Sequence, residues 1–406
     1  MIREHRPLSL WSVIIVVAVI VSTVPLAAAD DHGRNLGPVK LLTTVPIPNK
    51  PLIVFDISWV DPDTQRYYLA DRSNAVIDVV DARRNTFIRQ IQGGFKGFTG
   101  SNDTSGPNGV VVAGHWLFVS DAPSRVVTID LRTDTIVGEV STGGAAGLRA
   151  DELAYDPQDG MLLVVNNADS PPFATLIKVD PRTGKLTLGQ RLTFKDATNG
   201  AEQPVWDRQT GRFYISIPEV SGPGGTGPDG AVARINPHTA TVETMFPVKF
   251  CQPAGLTLGP RQDLLLGCSV AFDTAGDAWS PADPNTAAPI SVIMDARNGK
   301  IDRNVPGVSG SDEVWFNAGD GHYYLAARAN PGGPVLGVID AESQTLRQLV
   351  PTFNTPASAP PPRGSAHSVA VNPHNNHVFV PLPANNVFPD CLNGCVAVYG
   401  TANEDD

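Results

Sequence analysis

Six polar side chains recur at one place in a repeated phrase of this sequence: Asp56, Asn108, Asp151, Glu202, Asp312 and His367. Each stands five residues ahead of a turn, so a single fold position would carry them all. Converging carboxylates repel one another and resist common ionisation. They therefore call for a cation, ordered water or raised pKa values. Oxygen ligands from Asp, Glu and Asn suit Ca²⁺ or Mg²⁺, and including His367 favours Mn²⁺, Fe²⁺ or Zn²⁺. Imidazole is also the side chain that exchanges protons near neutrality, which makes His367 the candidate catalytic base. A neighbouring cation would polarise a lactone or ester carbonyl and activate water.

The elements that must position these groups follow from the phrase itself, which spans roughly forty residues and recurs about seven times, the period of a β-propeller. A short opening strand leads through a turn to an apolar strand such as Arg66 to Asp71 (RYYLAD). A third strand ends in Asp, as in Ala75 to Asp81 (AVIDVVD), and a more polar fourth follows, such as Thr86 to Ile91. Four antiparallel strands repeated radially make a propeller blade. The fold class expected is all-β, a seven-bladed β-propeller over 39–400. The last unit has three evident strands, and the strand-like segment Val39 to Pro48 would complete it, closing the ring and removing exposed edges.

In that arrangement the six residues ring one funnel. Opposite blades lie too far apart for one ion to touch every member, so the metal set Asp56, Asp151, Glu202, Asp312 and His367 divides by neighbouring blades. Asp312, His367 and Asp56 form one cluster, and Asn108, Asp151 and Glu202 the other. Asp151-Glu152 and Asp312-Glu313 each double the position, and strand alternation would turn the two members to opposite faces. Blade 5 carries Ala254 there, with Gln252 close by. Asn108, Glu152, Gln203, Gln252, Glu313 and Arg328 complete the expected ligand-binding set, Arg328 and Asn330 being placed to hold an anionic substrate. The long segments Gly93–Pro107, Val220–Gly230, Ser269–Pro289 and Phe353–Gly364 all fall on connections of one face, where loops commonly carry function. Asn166-Asn167-Ala168-Asp169 opens on that face as an Asx-rich turn or cation site. Trp279, in the longest insertion, belongs to a lid or packs its own loop. His374 and His377 occupy a short turn on the opposite face. Trp59, Trp206 and Trp315, at matching positions, read as core between blades.

Bulk properties narrow the class. The 406 residues carry 30 Lys+Arg against 41 Asp+Glu, a net charge of −11, which argues against nucleic acid as partner. Arg3 and Arg6 precede an apolar stretch from Leu8 to Val24, and Ala27-Ala28-Ala29 forms a small-residue cleavage site. The expectation is a signal peptide over 1–29, a linker over 30–38, an acidic tail over 401–406, and a secreted or periplasmic protein with no membrane association after cleavage. In an exported chain the four cysteines pair as Cys251–Cys268 and Cys391–Cys395. No P-loop, dinucleotide fingerprint, G-x-S-x-G elbow or H-E-x-x-H is present.

Leu117-Phe118-Val119-Ser120-Asp121 followed by Val126-Val127-Thr128-Ile129-Asp130, together with Cys251-Gln252-Pro253-Ala254-Gly255-Leu256, resembles the YVTN/YncE-like seven-bladed propellers. More loosely, it is similar to lactonase-like and SMP-30-type propellers. The resemblance runs from about Val39 to Gly400 and implies the fold. It does not select an activity, because such groups include binding proteins, lactonases and lyases. SMP-30-type hydrolases are six-bladed and hold one divalent cation with Glu, Asn and Asp, ligands with no one-for-one counterpart here. The sequence thus points to an exported propeller that binds a small ligand, a divalent cation or both in its funnel. A metal-assisted hydrolase or lyase of a lactone, ester or sugar acid is the alternative. A scaffold holding a protein partner on its loop-rich face is the third reading.

Overall fold

The computed structural model describes residues 37–356 and 364–401. The expected leader, the linker up to residue 36, part of the loop at Phe353–Gly364 and the tail beyond residue 401 lie outside them.

Seven antiparallel four-stranded sheets form the blades of the propeller. The innermost strands are Ser58–Asp61, Val110–Ala113, Leu153–Asp156, Pro204–Asp207, Pro253–Leu258, Val314–Asn317 and Ala370–Asn372. Six blades are built from consecutive strands. The seventh is completed by Val39–Pro46, which pairs antiparallel with Cys395–Thr401 and closes the ring as the sequence predicts.

Burial explains why these segments are strands. The two middle strands of blade 1, Arg66–Asp71 and Val76–Asp81, are almost wholly buried, because neighbouring sheets cover both faces. Its outer strand, Thr86–Gln92, exposes alternate residues to solvent. Tyr68, Ala70, Ile77 and Val79 of blade 1 pack against Val110, Val112, Leu117 and Val119 of blade 2. Each fully buried Val, Leu or Ile side chain among them contributes about 1.5–3 kcal/mol. The recurring Asp that ends the third strand caps the next turn. Asp81, for example, accepts from the backbone N–H of Arg83 and Arg84, and Asp180 from those of Arg182 and Thr183.

The funnel residues stand two or three positions ahead of the innermost strands. Asp56 N–H donates to Ala70 O (2.9 Å), and Ala70 N–H donates back to Ile57 O (3.1 Å), so two residues oppose one. The same reciprocal pair joins Asn108-Gly109 to Ser120, Asp151-Glu152 to Val165, Glu202-Gln203 to Ser216 and Asp312-Glu313 to Ala326. This is a β-bulge repeated in five blades, a device that interrupts strand alternation and re-aims side chains. Blade 7 departs from it: His367 N–H donates instead to Ser365 O (3.0 Å).

Both expected disulfides are formed. Cys251–Cys268 (Cα–Cα 4.9 Å) ties the entry of blade 5 to its second strand, and Cys391–Cys395 (5.0 Å) staples a loop of blade 7. Among the described residues no helix is long and apolar enough to cross a membrane.

Candidate functional site

The bulges bring Asp56, Asp151, Glu152, Glu202 and Asp312 to the wall of a cavity of about 140 Å³. Its wall includes Asp56, Arg149, Asp151, Glu152, Glu202, Asp312, Arg328 and His367. Two of the long connections contribute, Gly93–Pro107 through Asn102 and Phe353–Gly364 through Gly364. The expected pairing of Asp151 with Glu152 on opposite faces is corrected here. Both line the cavity, because the bulge replaces the alternation that would have separated them.

Below the cavity the centre is filled. Trp59 and Trp315 come from blades 1 and 6, yet they meet edge to face with ring centroids 4.8 Å apart, although blade 7 stands between those blades. They therefore fill the central channel as well as packing between neighbouring blades. Gln203 braces the same region: its amide oxygen accepts from Leu256 N–H (2.7 Å) and Val314 N–H (3.3 Å), linking blade 4 to blades 5 and 6. Gln203, expected to bind ligand, is thus a cross-brace. Gln252 has a comparable role. Fully buried, it accepts from Asn199 (3.1 Å) and donates to Gly227 O (2.8 Å), holding the loop at Val220–Gly230. Neither amide lines the cavity.

Two arginines absent from the expected set organise the ring. Arg72, 2% exposed, ion-pairs with Asp56 and donates to Asn108 Oδ1 from Nε (3.0 Å) and Nη2 (2.6 Å). Asn108 is itself fully buried and donates to Ala150 O (2.7 Å), so it positions Arg72 from outside the cavity wall. Arg149 bridges Asp56 (3.3 Å) and Asp151 (2.8 Å). At the mouth, Arg328 pairs with Asp312 (3.0 Å) and keeps 40% of its side chain exposed. For Arg72 and Arg328, though not for Arg149, a shared position in the repeat was a signal. Arg72, Asn167 and Arg328 each directly follow a second strand, at one shared position of their blades.

Electrostatics then separate the carboxyls. Burial alone would raise Asp56, but Arg72, the His367 hydrogen bond and Arg149 outweigh it and hold this carboxyl well below the ordinary range. Asp151 is pushed up to about 7 by burial, which prevails over Arg149 with the help of repulsion from Asp56. Glu202 rises to about 8 through burial, then Asp151 and Asp312. Glu152 is raised well above its usual value by burial, then by Glu313 and Glu202. Glu313 is likewise raised by burial, then by Asp312 and Asp56.

His367 meets Asp56 through Nε2 (3.4 Å), and its Nδ1 lies 2.7 Å from Ser365 O. The imidazole stacks on Phe55 at 5.0 Å. Both ring nitrogens therefore have partners within the protein. Of the five expected metal ligands, Asp56, Asp151 and Asp312 pair with guanidinium groups. Among the described residues no three His, Cys, Asp or Glu side chains gather as a metal-binding group. Glu202 and His367 pair instead with Asn167 and Asp56.

The remaining expected positions serve the architecture. Asn166 is fully buried and bonds Thr142 and Arg149 O, while Asn167 reaches Glu202 at 3.4 Å. Asn330 is buried and accepts from Ser309 N–H rather than facing the cavity. The Trp279 indole donates to Asp283 O within its own loop. His377, expected in a turn, instead begins the strand His377–Leu382 and bonds Asn375 and Asn85.

Fold and site together define a seven-bladed β-propeller with a blind, carboxyl-rich funnel. Among solved structures, the chain is similar to Kuenenia stuttgartiensis hydrazine synthase, with a TM-score of 0.65 and 13% sequence identity, covering 87% of this chain and 97% of that one. At that identity the likeness speaks for the fold alone. No protein-family model matches the chain, and no curated protein matches it.

Proposed function

We propose that this is an exported binding protein whose funnel takes up a small, positively charged organic molecule of the aliphatic amine class. One observation carries the reading. Five carboxyls line the cavity, Asp56, Asp151, Glu152, Glu202 and Asp312, against the two guanidinium groups of Arg149 and Arg328, and no ion pair among the described residues engages Glu152 or Glu202. A cavity of about 140 Å³ admits only a small ligand. The carboxyls are spread around its wall, which matches a ligand with several N–H donors better than a bare ion. The two disulfides accord with an oxidising compartment, and the YVTN/YncE-like repeat accords with a group that includes binding proteins.

The test is thermal stabilisation of the mature protein by putrescine, measured beside CaCl₂, MgCl₂, MnCl₂ and ZnCl₂ at matched ionic strength. Putrescine at one hundred times its Kd is expected to add about 2.7 kcal/mol of stability, and Glu152→Gln with Glu202→Gln to abolish the shift. Stabilisation by a divalent ion but not by putrescine would assign the funnel to a metal instead. No shift with any of them would remove the cation reading altogether.

A further inference from the structure

We propose a second binding site on the loop-rich face, a basic groove beside blade 1 that takes up an organic anion with an apolar body, of the aryl carboxylate class. The site stands apart from whatever the funnel binds. Its sides are the turn after the second strand of blade 1, at Arg72 to Ala75, and the long connection Gly93–Pro107. The groove has a volume of about 470 Å³, and its wall carries Lys50, Arg72 and Lys96 with no carboxyl group among the lining residues. In a chain with a net charge of −11 this wall is a local reversal of sign, which favours an anion there. Arg72 directs its guanidinium to Asp56 and Asn108, so recognition falls to the two lysines. Among the described residues neither ammonium group has an ion-pair or hydrogen-bond partner.

The backbones that carry these lysines are fixed. Lys50 N–H donates to Asn74 Oδ1 (3.1 Å), and Lys50 O accepts from Asn74 Nδ2 (3.1 Å). Asn74 is anchored in turn by Asp71. Lys96 N–H donates to Asp121 Oδ1 (3.1 Å), and Phe98 N–H donates to Arg72 O (2.9 Å). Walls held this way have little order left to lose on binding, which favours affinity.

The rest of the wall selects the body of the ligand. Pro51, Ile53, Val54, Ala75 and Phe98 supply apolar surface. The polar side chains between them already have partners. Ser73 Oγ accepts from Ile53 N–H (3.0 Å) and Val54 N–H (2.9 Å) and donates to Val54 O (3.1 Å), while Asn74 is held by Lys50 and Asp71. An inorganic anion would meet only the lysines. An aryl carboxylate covers the apolar wall with its ring and presents its charge to the ammonium groups, the division of labour usual in small-molecule sites. Ile53 and Val54 also line the funnel, so groove and funnel are neighbours and the experiment must tell them apart.

Calorimetric titration of the mature protein with cinnamate at neutral pH tests the proposal, beside cinnamamide as the uncharged analogue and inorganic phosphate as an anion without an apolar body. Cinnamate should bind at a single site, more tightly than either. Lys50→Gln/Lys96→Gln should weaken cinnamate about tenfold, each exposed ammonium contributing modestly. Both side chains are exposed, so this variant keeps the fold. Arg328→Gln, at the funnel mouth, should leave cinnamate binding unchanged. A loss in Arg328→Gln with none in the lysine variant would place the anion in the funnel and overturn the proposal. Equal binding of cinnamate and cinnamamide would overturn the recognition of charge, and phosphate binding as tightly as cinnamate would overturn the apolar part. Absence of cinnamate binding to the wild-type protein would overturn the site as a whole.

Discussion

Asp71 and Asp78, buried together in blade 1, show how this chain treats surplus carboxyls away from its funnel. Asp78 is raised well above its usual value by burial and then by Asp71, and Asp71 is pushed up to about 6 chiefly by burial. Asp78 accepts from the Gln90 amide (2.9 Å). A carboxyl raised in the folded state binds more protons there than in the unfolded chain. Its contribution is fully present below about pH 4 and is lost as pH climbs through the folded value. Asp78→Asn should therefore raise Tm at pH 8 by about 1–3 °C and change it little at pH 4, as melting curves at the two pH values would reveal. Asp56 behaves in the opposite way. Paired with two arginines, it adds stability above the usual carboxylate range and loses it only in strong acid.

The loop at Val220–Gly230 is organised at the level of the element. Glu219, with no exposed surface, accepts from the backbone N–H groups of Gly224 (2.6 Å), Gly225 (3.0 Å) and Gly227 (2.5 Å) and from the Thr198 hydroxyl (2.6 Å). A carboxylate thus occupies the kind of amide nest that elsewhere holds external anions. Positive φ at Gly224 (92°) and Gly225 (112°) forms this turn, which explains the run of glycines. Glu219→Gln exchanges an acceptor for a donor facing N–H groups, and should cost about 1–3 kcal/mol. Faster hydrogen exchange and earlier proteolytic cleavage confined to 220–230 are the expected signs, and unchanged protection there would contradict the assignment. The bulge of blade 3 is the other decisive element, because it brings both Asp151 and Glu152 to one cavity.

For the whole molecule, ring closure decides integrity. Val39–Pro46 supplies the outer strand of blade 7 and is paired along its length with Cys395–Thr401. Removing residues 37–46 leaves Cys395–Thr401 as an unpaired edge and uncovers part of the core formed by Val45, Ile47 and Leu52. Open edges invite intermolecular pairing. The truncated protein should melt at least about 10 °C lower and form aggregates on light scattering, given the scale of stability lost per buried side chain. A truncated form that stays monodisperse with an unchanged Tm would refute this role for the segment.

Much of this was legible in the sequence. Strand pattern, turn residues and phrase length are local properties, and seven repetitions of a local pattern determine a blade count, a closing strand and the addresses of Asp56, Asn108, Asp151, Glu202, Asp312 and His367. The cysteine pairs were legible for the same reason, since each joins neighbouring segments. Tertiary structure alone decided how those addresses work. Arg72 reaches Asp56 across 16 positions of chain and Arg149 reaches it across 93, so neither pairing leaves a trace in spacing. A bulge depends on which backbone groups meet across two strands, and it brought Glu152 beside Asp151 where alternation separates them. Gln203 and Gln252 became braces because backbone N–H and C=O groups of neighbouring segments lay within their reach. Local pattern specifies the repeat, while charge balance in a closed funnel depends on groups that meet only when the ring has formed.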